Sequence, residues 1–233
     1  MAGDGGSEEG DDVAFLKEAL GSLFTSRLRL PMLLAAVLPP ATNLLILSNL
    51  PSRDNPDHGP YLATFIAFVI VHTALAIAIL RILNGSSRPA WSPDSSAWTY
   101  GLVVLSSIAV GLFADWIADS STILSALANQ IVSTAIIVPL APWLVAIAVD
   151  RPLAWRPAPW FQRLGTWLPA LLLWNFLILV PADALYRIGF GAWLEQGGKD
   201  DWRFFVFDGA ATAPRILLAL ALASVAYRRV ARV

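Results

Sequence analysis

The chain has 233 residues, of which 57% are hydrophobic and only 14% charged, and its mean hydropathy is +0.62. An ordinary soluble domain carries about 25% charged residues, so the composition excludes one and indicates a polytopic membrane protein. A formal net charge of −1 offers no basic field to a nucleic acid, and the lack of cysteine removes disulfides, thiolate nucleophiles and thiolate metal ligands.

Residues 1–12 set Asp4, Glu8, Glu9, Asp11 and Asp12 among glycines without a basic leader, and are expected to form a disordered acidic tail. The rest, 13–233, is read as one membrane domain. Over 13–24, Val13, Leu16, Leu20, Leu23 and Phe24 recur at helical spacing opposite Lys17, Glu18 and Ser22, which predicts an amphipathic helix lying in the interface. A first span over 30–50 carries Pro39 and Pro40, a pair that implies a break in mid-span. A polar turn precedes the second span, 61–83, which has His72 near its middle and Arg81 at its end.

The elbow after it, with Arg88, Pro89, Trp91 and Pro93, is matched by Arg151, Pro152, Trp155 and Pro157. The offset of 63 to 64 residues suggests a repeated hairpin. The third span covers 99–118, with Asp115 and Asp119 four apart at its end; the fourth covers 122–149 and is bent by Pro139 and Pro142. The fifth, 164–182, contains Asn175 and ends beside Asp183. A long loop is expected from Tyr186 to Asp208, and the sixth span, 209–227, has Arg215 near its start. The expected fold is therefore all-α: six transmembrane helices in three hairpins, with interfacial amphipathic segments.

Eleven of the sixteen basic residues fall on one side of this topology, among them Arg81, Arg88, Arg151, Arg228 and Arg229. The positive-inside rule makes that side, which holds both termini, cytoplasmic. Asp115, Asp119, Asp183 and Arg215 gather at the opposite ends of the spans as a candidate polar or lipid-headgroup site, Asp183 and Arg215 serving equally as a structural pair between helices. His72, Asn129 and Asn175 are the candidates for an intramembrane polar path. His72 has no ligating residue at helical spacing, so no metal site is read there, and no nucleophile arrangement, phosphate loop or cofactor fingerprint is present.

The amphipathic stretch 13–24, the first span, the run Pro139-Leu140-Ala141-Pro142-Trp143-Leu144 continuing to Asp150, and the apolar 164–173 together resemble six-helix bacterial inner-membrane proteins. These are the ones related to the membrane domain of glycerophosphoryl diester phosphodiesterases. The resemblance is one of pattern, implies architecture and a link to lipid, and carries over no catalytic residue. The expectation is a non-enzymatic protein of the bacterial inner membrane. It acts in the lipid phase or as the membrane partner of other proteins or of a second copy. The alternative is a small transporter or channel subunit.

Overall fold

The structure, a computed structural model, describes residues 6–50, 58–118, 123–149, 167–195 and 202–231. Helices α1 (Gly6–Leu23), α2 (Arg29–Ser48), α3 (Gly59–Leu83) and α4 (Ser95–Ala118) come first. They are followed by α5 (Ile123–Ile137), a 3-10 turn (Val138–Leu140) and α6 (Ala141–Val149). Then come α7 (Leu168–Trp174), a π turn (Asn175–Leu179), α8 (Val180–Glu195) and α9 (Trp202–Ala231). Among the described residues there is no strand.

Among the described residues, five stretches are long and apolar enough to cross a membrane: Ser26–Ser48, Gly59–Leu83, Gln130–Val149, Leu168–Trp193 and Trp202–Val230. With one turn of helix rising about 5.4 Å, each covers most or all of a hydrocarbon layer about 30 Å thick. The third expected span coincides with α4. The chain is an all-α, multi-pass membrane protein. The second elbow, 151–157, lies outside the described residues, as does Asp119.

Helix α9 is the centre of the bundle, packed by α1, α2, α3, α6, α7 and α8. From Ala221 to Tyr227 every residue is buried, on all sides of the helix, as a helix enclosed by others requires. Its surroundings are apolar: Leu80, Val145 and Ala148 on one side, Phe15, Ala19 and Leu171 on another.

Several expectations are corrected here. The helix α1 reaches back to Gly6, into the segment expected to be disordered. It packs against the bundle: Phe15 and Ala19 are 0% exposed and face α9, while Val13, Leu20 and Phe24 remain outside. The reason is a set of partners the amphipathic pattern did not reveal. Glu18 accepts from Arg228 and Arg229 at 3.0 and 3.3 Å, and Arg229 lies over the rings of Phe15 and Trp167. Likewise α2 is not broken at its proline pair. Thr42 donates to the carbonyls of Leu38 and Pro39, and the carbonyl of Ala36, which Pro40 cannot reach for want of an N–H, faces Gly209 of α9.

The expected loop from Tyr186 to Asp208 is mostly helix, belonging to α8 and α9. Consequently Arg215 is not at the head of a span but is the fourteenth of thirty residues in α9. The two helices are joined by rings that the sequence places in the run Phe204-Phe205-Val206-Phe207: Trp193 meets Phe204 and Phe207, and Phe190 meets Phe204. Aromatic contact area of this kind outweighs the turn-forming tendency of the neighbouring glycines.

Candidate functional site

Two buried polar groups occupy opposite ends of the bundle. At the end holding Arg228, which we call the base, Arg81 closes α3. It is 1% exposed, and all its nitrogens donate: Nε to the carbonyl of Ala148 at 2.9 Å, and Nη1 to those of Pro89 and Ser92 at 3.0 and 2.8 Å. Nη2 donates to Asp94 Oδ2 at 2.5 Å and to Ser96 Oγ. An arginine suits this place because its rigid fork reaches several acceptors at once, which a lysine cannot do.

Asp94 in turn caps α4. Its Oδ1 accepts the Ser96 N–H at 3.0 Å and the Ser96 hydroxyl, and Arg88 adds a second guanidinium at 3.2 Å. Burial pushes the Asp94 carboxyl up, but the Ser96 hydrogen bonds and the Arg81 charge outweigh it and hold it below the ordinary carboxylate value. This group fixes the elbow and is complete in itself. The capping pattern of Asp94 ahead of an apolar run was the signal that pointed to it.

Toward the other end, α2, α5, α8 and α9 converge on a chain of polar groups. Gln130 donates to Asp183 Oδ2 at 2.7 Å, and the other Asp183 oxygen forms an ion pair with Arg215 Nη2. The Arg215 guanidinium lies 4.2 Å above the Tyr186 ring. The Tyr186 hydroxyl donates to Asp208 Oδ1 at 2.7 Å, beside the Thr212 hydroxyl at 2.9 Å, and Asn43 of α2 donates to Asp208 Oδ2 at 2.9 Å. Asp208 is 0% exposed. Three neutral donors satisfy its carboxylate, with no cation in direct contact among the described residues, which is how a buried charge avoids most of its desolvation cost.

Arg215 is less completely served. Its Nε and Nη1 are buried and find no hydrogen-bond partner among the described residues, although the side chain as a whole is 23% exposed. Counted along α9, Arg215 is thirteen residues from Arg228, a rise of about 20 Å.

Of the residues singled out from sequence, Asp183 and Arg215 are thus brought together. The side chains of Asp115 and Asn129, like Asp119, lie outside the described set. His72 Nδ1 donates to the Phe68 carbonyl at 2.8 Å, and Asn175 donates to the Leu171 carbonyl at 2.7 Å. Among the described residues no hydrogen bond joins the two. Asp208, Tyr186 and Thr212 were missed as site residues. The stripe Phe204, Asp208, Thr212, Arg215 recurs every three or four residues and marked them as one helical face. Among the described residues no group of His, Asp or Glu is arranged to hold a metal ion.

This is the polar core of a membrane helical bundle. No protein-family model, curated protein or solved structure matches the chain.

Proposed function

We propose that this chain is a six-span, non-enzymatic protein of the bacterial inner membrane that works in the lipid phase and engages an anionic lipid headgroup at Arg215. In this reading α4 is the remaining span, the helices pair as three hairpins, and the base, with its arginines, is cytoplasmic. One observation carries it: an arginine well inside the bundle, partly open at its side, with two buried nitrogens that no described group satisfies. Buried donors left unpaired are costly and rare, and phosphate oxygens are the acceptors a guanidinium suits best. The pattern-level likeness to phosphodiesterase membrane domains is in keeping with a lipid-facing role.

The test is the lipid retained by the purified protein, read by native mass spectrometry. Arg215→Gln should lose bound anionic lipid, while His72→Ala keeps it. Unchanged lipid retention in Arg215→Gln would overturn the reading. Orientation is tested separately in this cysteine-free chain: Ser92→Cys should react with an impermeant thiol reagent only after lysis, and reaction in intact cells would reverse the topology.

A second reading, a small transporter or channel subunit, is favoured by the linked groups Asn43, Asp208, Tyr186, Arg215, Asp183 and Gln130 inside the bundle. It would replace the first if the protein in vesicles moved an ion or solute and Asp208→Asn abolished the flux.

A further inference from the structure

A cavity of about 180 Å³ lies at the level where two helices depart from α geometry. On one wall is Val138 of the 3-10 turn, on another Asn175, the first residue of the π turn, and α9 contributes Ala219, Leu220 and Ala223, two of the three small. These three features make the space together. The 3-10 turn follows from Pro139, which cannot continue the α pattern of bonds, and in the π turn the Val180 N–H reaches five residues back to Asn175. Opposite them, Ala219 and Ala223 are too short to fill all of what the two turns open, and Leu220 covers only part of it.

The lining is apolar except for Tyr100 of α4 and Asn175. Tyr100 is 5% exposed, and its hydroxyl makes no hydrogen bond among the described residues. Asn175 is 7% exposed and uses its amide nitrogen on Leu171, which orients the amide and leaves Oδ1 without a donor among the described residues. Both side chains therefore bring an unmet hydrogen-bonding atom to the same apolar space. No charged side chain lines it.

We propose that this cavity is a binding site for a neutral, lipid-soluble alcohol or phenol with a ring-sized apolar body. The hydroxyl is the group that matches both polar partners, since it donates to an acceptor such as Asn175 Oδ1 and accepts from a donor such as the Tyr100 hydroxyl. The size follows from volume, because an apolar cavity of about 150 Å³ is known to take benzene. An ionic ligand is disfavoured by the absence of any counter-charge. This site is separate from Arg215 and does not depend on how that residue is used.

The test uses the full chain in lipid nanodiscs, photolabelled with 4-azidophenol and mapped by peptide mass spectrometry. Adducts should fall on α4, α7 and α9 at the cavity, and p-cresol should suppress them at about one-tenth the concentration of p-xylene, which replaces its hydroxyl with a methyl group. Tyr100→Phe should bring the two competitors within about threefold of each other. Ala223→Phe should fill the space and abolish labelling without lowering Tm. Adducts scattered away from these helices, or equal competition by p-cresol and p-xylene in the unaltered protein, would overturn the proposal. Should Ala223→Phe fail to fold, the change in competitor preference in Tyr100→Phe decides alone.

Discussion

Gly209 of α9 sits against the carbonyl of Ala36 so closely that a Cβ at that position would fall 2.3 Å from the oxygen, with the Pro40 ring 3.5 Å away. Pro40 leaves that carbonyl without its helical donor, and the glycine lets α9 approach and cover it. The carbonyl belongs to backbone and cannot swing aside. Gly209→Ala should therefore cost about 1–3 kcal/mol, a fall in Tm of roughly 3–10 °C. Gly21→Ala, where nothing lies within 4 Å of the new Cβ, is the control and should be neutral or slightly stabilising. Thermal unfolding of the two variants side by side checks the contrast.

The Asn43–Asp208 hydrogen bond between α2 and α9 gives a charge-swap experiment. Asp208→Asn turns an amide toward an amide, and Asn43→Asp turns a carboxylate toward a carboxylate, so each single change should lower Tm. The double variant restores one donor and one acceptor and should recover much of the loss, a coupling of about 0.5–3 kcal/mol. Strictly additive losses would mean the contact contributes nothing.

Arg81 should tolerate no substitute. Arg81→Gln leaves the carbonyls of Ala148, Pro89 and Ser92 short of donors and Asp94 short of its cation, at a cost of about 3 kcal/mol. Arg81→Lys should recover only part of it, since one ammonium cannot reproduce the fork. Loss of Tm, with increased protease cleavage in the elbow 84–94, is the expected pair of readouts.

Asp94 makes the base sensitive to acid. Its folded pKa is depressed, so its contribution is fully present above the ordinary carboxylate pKa of about 4 and is lost as pH falls through the lowered folded value. Tm should decline on that acid limb, and Asp94→Asn should start lower and decline less. An acid limb identical in both proteins would assign the sensitivity to other carboxylates.

For α1, Phe15→Ala should cost about 3 kcal/mol because a fully buried ring leaves a cavity against α9. Leu20→Asp, on the outward face, should leave Tm almost unchanged. If instead both variants behave alike, α1 does not owe its place to α9.

Much of the fold was legible in the sequence because apolar runs of membrane-crossing length are a strong, local signal. The Asp183–Arg215 pair was legible for a related reason: charges within or beside such runs need partners. What was hidden depends on residues far apart in the chain. Nothing near Phe15 and Glu18 announces that Arg229 will lie over the ring and that Arg228 and Arg229 will pair with the carboxylate. The glycines and the run of phenylalanines after Tyr186 look like loop chemistry. Only the pairing of α8 with α9 through Trp193, Phe190 and Phe204 turns them into helix, and that shift moved Asp208 from a surface loop to a buried position.

The contacts of Arg81 also carry an order of assembly. Four acceptors, Pro89, Ser92, Asp94 and Ser96, follow it within 8 to 15 residues, whereas Ala148 follows after 67. As the chain leaves the ribosome, the guanidinium thus meets the elbow long before α6 has been made, since domains form progressively from the N-terminal side during synthesis. Chains stalled between Ser96 and Ala148 should already hold the elbow resistant to protease. The carbonyl of Ala148 then arrives at a donor already fixed in direction, which guides the later helix to its seat.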